Sequence, residues 1–118
     1  MPIIESVQVA AVTVPLDQVT SFSTRTVSAR HYCLVKIRSK DGLEGIGFCY
    51  VGSAAGDIAK LAVEQLLAPK LLGQESHRSE GLWLEMYNES VLQGRTGSVM
   101  RGISILDNAL WDLNARSA

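Results

Sequence analysis

Between Gly94 and Ala118 the chain runs GRTGSVMRGISILDNALWDLNARSA, and Val99, Ile103, Leu106, Leu110 and Leu113 recur at intervals of four, three, four and three. That spacing is one apolar stripe on an α-helix. Ile105, Ala109 and Trp111 widen the stripe, so burial on more than one side is expected. Arg101, Asp107, Asn108, Asp112 and Asn114 are its polar interruptions. Neither Gly nor Pro follows Leu113, and a long helix without a stop signal suggests that a larger polypeptide continues beyond it.

Upstream the period changes. Ile3 to Val14 is rich in Val, Ile and Thr and closes at Pro15, which predicts a strand. Val7, Val9 and Ala11 share one parity and Val12 and Val14 the other, a pattern suited to a bulge or to burial on both faces. From Pro15 to about Arg30 neither period persists, and a long hydroxyl-rich loop is expected, functional or disordered. Tyr32–Arg38 and Leu43–Tyr50 then form a hairpin around Asp41-Gly42, read as the two residues of a type I′ turn. That loop length sets Ile37 opposite Ile46, Val35 opposite Phe48 and Cys33 opposite Tyr50, all six on one face. Lys36 and Arg38 then face Gly47 and Gly45 on the other.

Val51–Gly56 is a small-residue loop. Asp57 is expected to cap a helix with Ile58, Leu61, Ala62 and Leu66 inward, ending at Pro69. Leu71-Leu72-Gly73 turns the chain back. Ser79 is expected to cap a second helix with Trp83, Met86, Tyr87 and Ser90 on one face and Leu82 beside them. Three antiparallel strands in a meander followed by three helices make an α+β domain, with the helices over one side of the sheet.

Bulk properties narrow the function classes. The 118 residues suffice for one domain, 47% hydrophobic and 19% charged, with an ordinary core. A net charge of −1, with no basic run interleaved by aromatics, argues against nucleic acid and against a membrane surface. No apolar run approaches a membrane span, and the N-terminus lacks the pattern of a signal peptide. Cys33 and Cys49 suit a reduced, cytoplasmic pair of small packing residues.

No complete active site is visible. His31 and His77 have neither metal-ligand spacing nor a carboxylate at helical distance, and a structural role is the simpler reading of each. Lys36-Ile37-Arg38 superficially resembles a proton-abstracting lysine pair, but solvated strand charges are far commoner. Asp107 and Asp112, five apart, suit pairing with Arg101 or Arg116 better than a shared metal. No glycine-rich stretch matches a phosphate or dinucleotide loop. What remains are two segments: Thr20, Phe22, Ser23, Thr24 and Arg25 in the first, and Val51, Gly52 and Ser53 in the second. Their hydroxyls, aromatic ring and guanidinium suit a small polar or carboxylated ligand, with Arg25 as the carboxylate fork. Equally, they suit a mobile surface loop. One precedes the second strand and the other follows the third, so both lie at the same end of the sheet.

The first strand ending in Val14-Pro15, the DGLEGIGFCY strand, the LLAPKLLG segment and above all GISILDNALWDLNARS resemble the N-terminal capping domain of the enolase superfamily, nearest to the mandelate racemase and muconate lactonizing enzyme group. The resemblance covers essentially the whole chain. It implies that residues 1–118 are a cap followed by a modified (β/α) barrel absent from this chain. It further implies abstraction of a proton next to a carboxylate, with the enolate held by Mg²⁺. The bases and the three metal-binding carboxylates would lie on that barrel, so no catalytic or metal-binding residue carries over, and this chain alone would be inactive. The implied substrate is a small hydroxy acid or acid sugar; racemisation, dehydration and cycloisomerisation all fit. The family favours symmetric assemblies, so a homo-oligomer is implied too. The two segments resemble loops that close over the barrel mouth, with Tyr50, Phe22 and Arg25 as the best substrate-facing candidates. The alternative is a self-assembling interaction module derived from such a cap.

Overall fold

β1 (Ile4–Phe22), β2 (Arg25–Ser39) and β3 (Glu44–Gly52) form one antiparallel sheet in the order β1-β2-β3. This computed structural model describes residues 2–52 and 56–118, the side chain of Phe22 excepted. α1 (Gly56–Leu61), a π turn (Ala62–Leu67) and a 3₁₀ turn (Ala68–Lys70) follow, then α2 (Ser79–Glu89) and α3 (Gly97–Ser117). The helices cover one face of the sheet, and the shortest dimension is 18 Å, the thickness of a two-layer α+β domain.

The segment expected to be a loop is strand. β1 and β2 continue through it to a two-residue turn at Ser23-Thr24, with Phe22 paired to Arg25 and Ser23 at φ 53°. Thr20, Thr26 and Val27 are β-branched and favour the extended backbone. Alternation is missing because most of this projecting hairpin is exposed on both sides, so no buried face imposes a period. Pairing slips between Pro15↔Ala29 and Thr20↔Val27, where β1 advances five residues against two in β2. A second slip lies between Ile4 and Ser6; pairing is regular from Ser6 to Pro15, so the change of parity between Ala11 and Val12 is not a bulge.

The β2–β3 register also differs from the expected one. Gly42, at φ 90°, donates its N–H to Ser39 O at 3.0 Å, and Ser39 N donates to Leu43 O at 2.9 Å. The loop is therefore three residues, Lys40 to Gly42, closed by a left-handed glycine. Ser39 Oγ, fully buried, accepts from Leu43 N and donates to Asp41, which favours this closure over a two-residue turn. One extra loop residue moves every pair by one. Cys33 faces Cys49, Val35 faces Gly47 and Ile37 faces Gly45, all toward the helices. Ile46, Phe48 and Tyr50 turn outward against Lys36, Leu34 and Tyr32.

The two inward glycines set the place of α3. A Cβ on Gly45 would overlap Ala109 O and lie 2.6 Å from Leu113 N; one on Gly47 would overlap Ile105 O. The helix backbone thus rests directly on β3. Asp112 Oδ2 accepts the edge-strand N–H of Ile46 at 2.9 Å and Arg116 Nε at 3.4 Å, so the expected Asp112–Arg116 pair forms and also fixes the helix along the sheet.

Ile103, Ile105, Leu106, Ala109, Leu110 and Leu113 are fully buried, as the stripe predicted, and Val99 is half-buried. Trp111 is not part of the core: it is 58% exposed, beside Trp83 and Asp107. In the first helical segment the inward residues are Ala59, Val63 and Leu67, whereas the expected Ile58 and Leu61 are exposed. The π turn at Ala62–Leu67 accounts for the difference, because a helix that widens there does not keep a 3.6-residue period. Asp57 and Ser79 lie inside the first turns of their helices rather than at the caps. Leu82, Met86 and Ser90 are buried on α2, with Ser90 Oγ donating to Met86 O at 2.7 Å. Trp83 and Tyr87 stack at 5.0 Å, half-buried, and Arg95 lies 4.1 Å above the Tyr87 ring.

Candidate functional site

β3 is shorter than the hairpin beside it. Its last pairing is Gly52 with His31, so β1 and β2 project past it. At this step lies an open cleft of about 420 Å³, lined by Leu16, Thr20, Val27, Arg30, Tyr32 and Tyr50. Val27 is buried and forms an apolar part of the lining. Tyr32 and Tyr50 are cross-strand partners on the outward face, their rings edge-on at 5.9 Å, and Phe48 continues the aromatic row 6.5 Å from Tyr32. Together they offer three hydroxyls, one guanidinium and an apolar floor, suited to a hydroxylated organic acid.

Of the residues singled out in the sequence, Thr20 and Tyr50 are brought together here. Ser23, Thr24 and Arg25 lie at the exposed hairpin tip, as does the backbone of Phe22. Val51 is buried in the core, and Gly52, at φ 99°, ends β3. Ser53 lies outside the described residues. The sequence reading missed Leu16, Val27, Arg30 and Tyr32. The one available signal was parity: Arg30 and Tyr32 alternate on β2, but only the three-residue loop puts Tyr32 and Tyr50 on the same face.

Other titratable groups serve the fold. Burial, then the neighbouring Cys49, pushes the Cys33 thiol up to about 11; burial also raises Cys49, which makes both poor nucleophiles at neutral pH. Burial raises the Asp107 carboxyl, and a hydrogen bond from Trp111 opposes it. The Ile46 N–H, then Arg116, holds Asp112 below the ordinary carboxylate range. His77 shares a 3.0 Å hydrogen bond with Ser117 Oγ. Lys36 pairs with Glu44, and Arg38 with Glu5 and Glu44. Among the described residues no three His, Cys, Asp or Glu side chains gather as a metal site. No helix among them is long and apolar enough to cross a membrane.

The family model for the N-terminal domain of mandelate racemase / muconate lactonizing enzyme matches residues 4–118. L-talarate/galactarate dehydratase of Salmonella typhimurium is 34% identical over 85 residues, 72% of this chain and 21% of that protein. Arabinonate dehydratase of Saccharolobus solfataricus is 34% identical over 83 residues, 70% of this chain and 22% of that protein. Among solved structures, a racemase from Streptomyces coelicolor with bound magnesium superposes with a TM-score of 0.93 at 30% identity, over 98% of this chain and 33% of that one. The chain therefore spans about a fifth of the curated relatives it matches. Sequence and fold together make it a member of the mandelate racemase / muconate lactonizing enzyme family, matching that family's N-terminal domain.

Proposed function

We propose that this chain is the substrate-closing cap of a magnesium-dependent enzyme that removes a proton next to the carboxylate of an acid sugar or related hydroxy acid. The carrying observation is the cleft where the hairpin projects past β3, lined by Thr20, Arg30, Tyr32 and Tyr50. Relatives named as acid-sugar dehydratases, and a racemase structure with magnesium, support this reading. The described residues do not make a magnesium site, so the metal and the bases are assigned to a C-terminal barrel. The cap's share is to bind the polar parts of the substrate and exclude water, which strengthens the electrostatics of the enclosed site. Cys33 and Cys49 are free thiols although they face each other across β2 and β3, which fits a reducing compartment, and we assign the protein to the cytoplasm.

The test is exchange of the α-proton of acid sugars in D₂O. The native full-length polypeptide should show exchange or turnover, and residues 1–118 alone should show none. Exchange by the isolated chain, or none from the full-length protein across aldonates and aldarates, overturns the proposal.

A second reading is favoured by one observation. The sheet face opposite the helices carries Ile46 and Phe48, 50% and 61% exposed, beside Ala10, Val12 and Leu34. Such an apolar face suits association with a second copy. Sedimentation velocity should then find a dimer that Phe48→Glu dissociates; a monomer at all concentrations refutes this reading.

A further inference from the structure

We propose that Arg30 is the cap's carboxylate-reading residue, and that it selects a sugar diacid over the corresponding monoacid by binding the carboxylate farther from the reacting carbon. This rests on the cap reading above. The cleft lining contains one cation and no carboxylate, and Arg30 has no acidic partner among the described residues. Six of the eleven cations, Lys36, Arg38, Lys60, Lys70, Arg78 and Arg116, have one within 4 Å; Arg25, Lys40, Arg95 and Arg101 share with Arg30 the lack of one among the described residues, but of these five it is Arg30 that lines the cleft. An uncompensated guanidinium beside apolar Leu16 and Val27 is a poor place for a neutral group and a good one for an anion.

Position separates Arg30 from Arg25. Arg25 follows the two-residue turn at the exposed tip, where holding it still costs backbone and side-chain entropy. Arg30 is paired with Val14 at the root of the hairpin, one residue before the β2–β3 ladder begins, so its backbone is already ordered. Tyr32 and Tyr50 stand on the same outward face, and their hydroxyls, with that of Thr20, can meet the hydroxyl groups of a polyol chain. The cleft volume lies within the common range of small-molecule sites, about 300–1,000 Å³.

The class of ligand follows from which end faces the cap. In the proposed reaction the carboxylate beside the abstracted proton belongs near the metal, and the described residues supply no metal site. A cap guanidinium therefore meets the opposite end of the molecule. In an aldarate that end is a second carboxylate; in an aldonate it is a neutral hydroxymethyl group.

Galactarate and galactonate differ in only this respect and make the test. Their dissociation constants are measured by calorimetry on the native full-length polypeptide with Mg²⁺ present, beside turnover. A charge-assisted bidentate contact predicts galactarate binding about ten- to hundred-fold tighter. Arg30→Met should erase that ratio and Arg30→Lys restore part of it, with circular dichroism confirming that both variants fold. The inference is overturned if neither acid binds, if both bind equally, or if the ratio survives Arg30→Met. Failure of the cap reading looks different: an Arg30-dependent ratio with neither exchange nor turnover across aldonates and aldarates leaves Arg30 as a reader of the second carboxylate and removes the enzyme.

Discussion

Replacing Gly45 by alanine tests whether α3 rests directly on β3. Intrinsic propensity favours the change, since glycine within a strand is less stable than alanine by about 0.5–1 kcal/mol. The tertiary contact opposes it. The new Cβ would overlap Ala109 O and stand 2.6 Å from Leu113 N and 2.8 Å from Leu113 Cβ, closer than the 3.0 Å that real Cβ atoms keep. Two of these are backbone atoms, so no side-chain rotation relieves them, and the helix must retreat by about 1 Å, which forfeits up to half of the dispersion energy along its contact. Overpacking of this kind costs about 1–3 kcal/mol, and adding the lost contacts of Ile105, Ala109 and Leu113 gives a net loss of about 3 kcal/mol. That is a large part of the roughly 5–15 kcal/mol that holds a domain folded. For a domain of this size it lowers the melting temperature by about 12 °C. Differential scanning calorimetry of Gly45→Ala against the parent chain measures it. A melting temperature within 2 °C of the parent, or above it, refutes the direct seating of α3 on β3.

Three further outcomes follow from the same packing. Gly102→Ala should change stability by less than about 1 kcal/mol in thermal melts, because the Cβ meets the mobile end of Leu67, 2.9 Å from Cδ1, while helix propensity improves by a similar amount. Asp112→Ala should cost about 1 kcal/mol at pH 7 by removing the acceptor of the Ile46 N–H. Because the Asp112 pKa is lowered on folding, its contribution is full above the ordinary carboxylate value of 3.8 and is lost as pH falls through the folded value. The gap between parent and variant melts should therefore narrow as pH falls below 3.8; a gap that stays constant over the acid range refutes the assignment. Asp107, raised by burial, acts in the opposite sense, its contribution falling as pH rises through its folded value. Finally, Cys33 is fully buried with its thiol near 11, so Ellman's reagent at pH 8 should modify at most the half-buried Cys49 until the chain unfolds; rapid reaction of both thiols refutes that burial.

Local periodicity determined much of this protein. A helix announces itself through one buried stripe, so Ile103, Leu106, Leu110 and Leu113 were legible, as were the three strands and the α+β class. Of the residues singled out in the sequence, Thr20 and Tyr50 line one cleft at one end of the sheet. Tertiary structure alone decided the rest. A hairpin exposed on both sides has no period to read, so β1 and β2 between Pro15 and Arg30 passed for loop. A turn of two residues and one of three share the same Asp-Gly, and the choice fell to the buried Ser39 hydroxyl, which the sequence could not rank. That single residue of loop length decided which face of β3 meets the helix. It turned Gly45 and Gly47 into the seat of α3, and it set Tyr50 across from Tyr32, on the face where both line the cleft with Arg30.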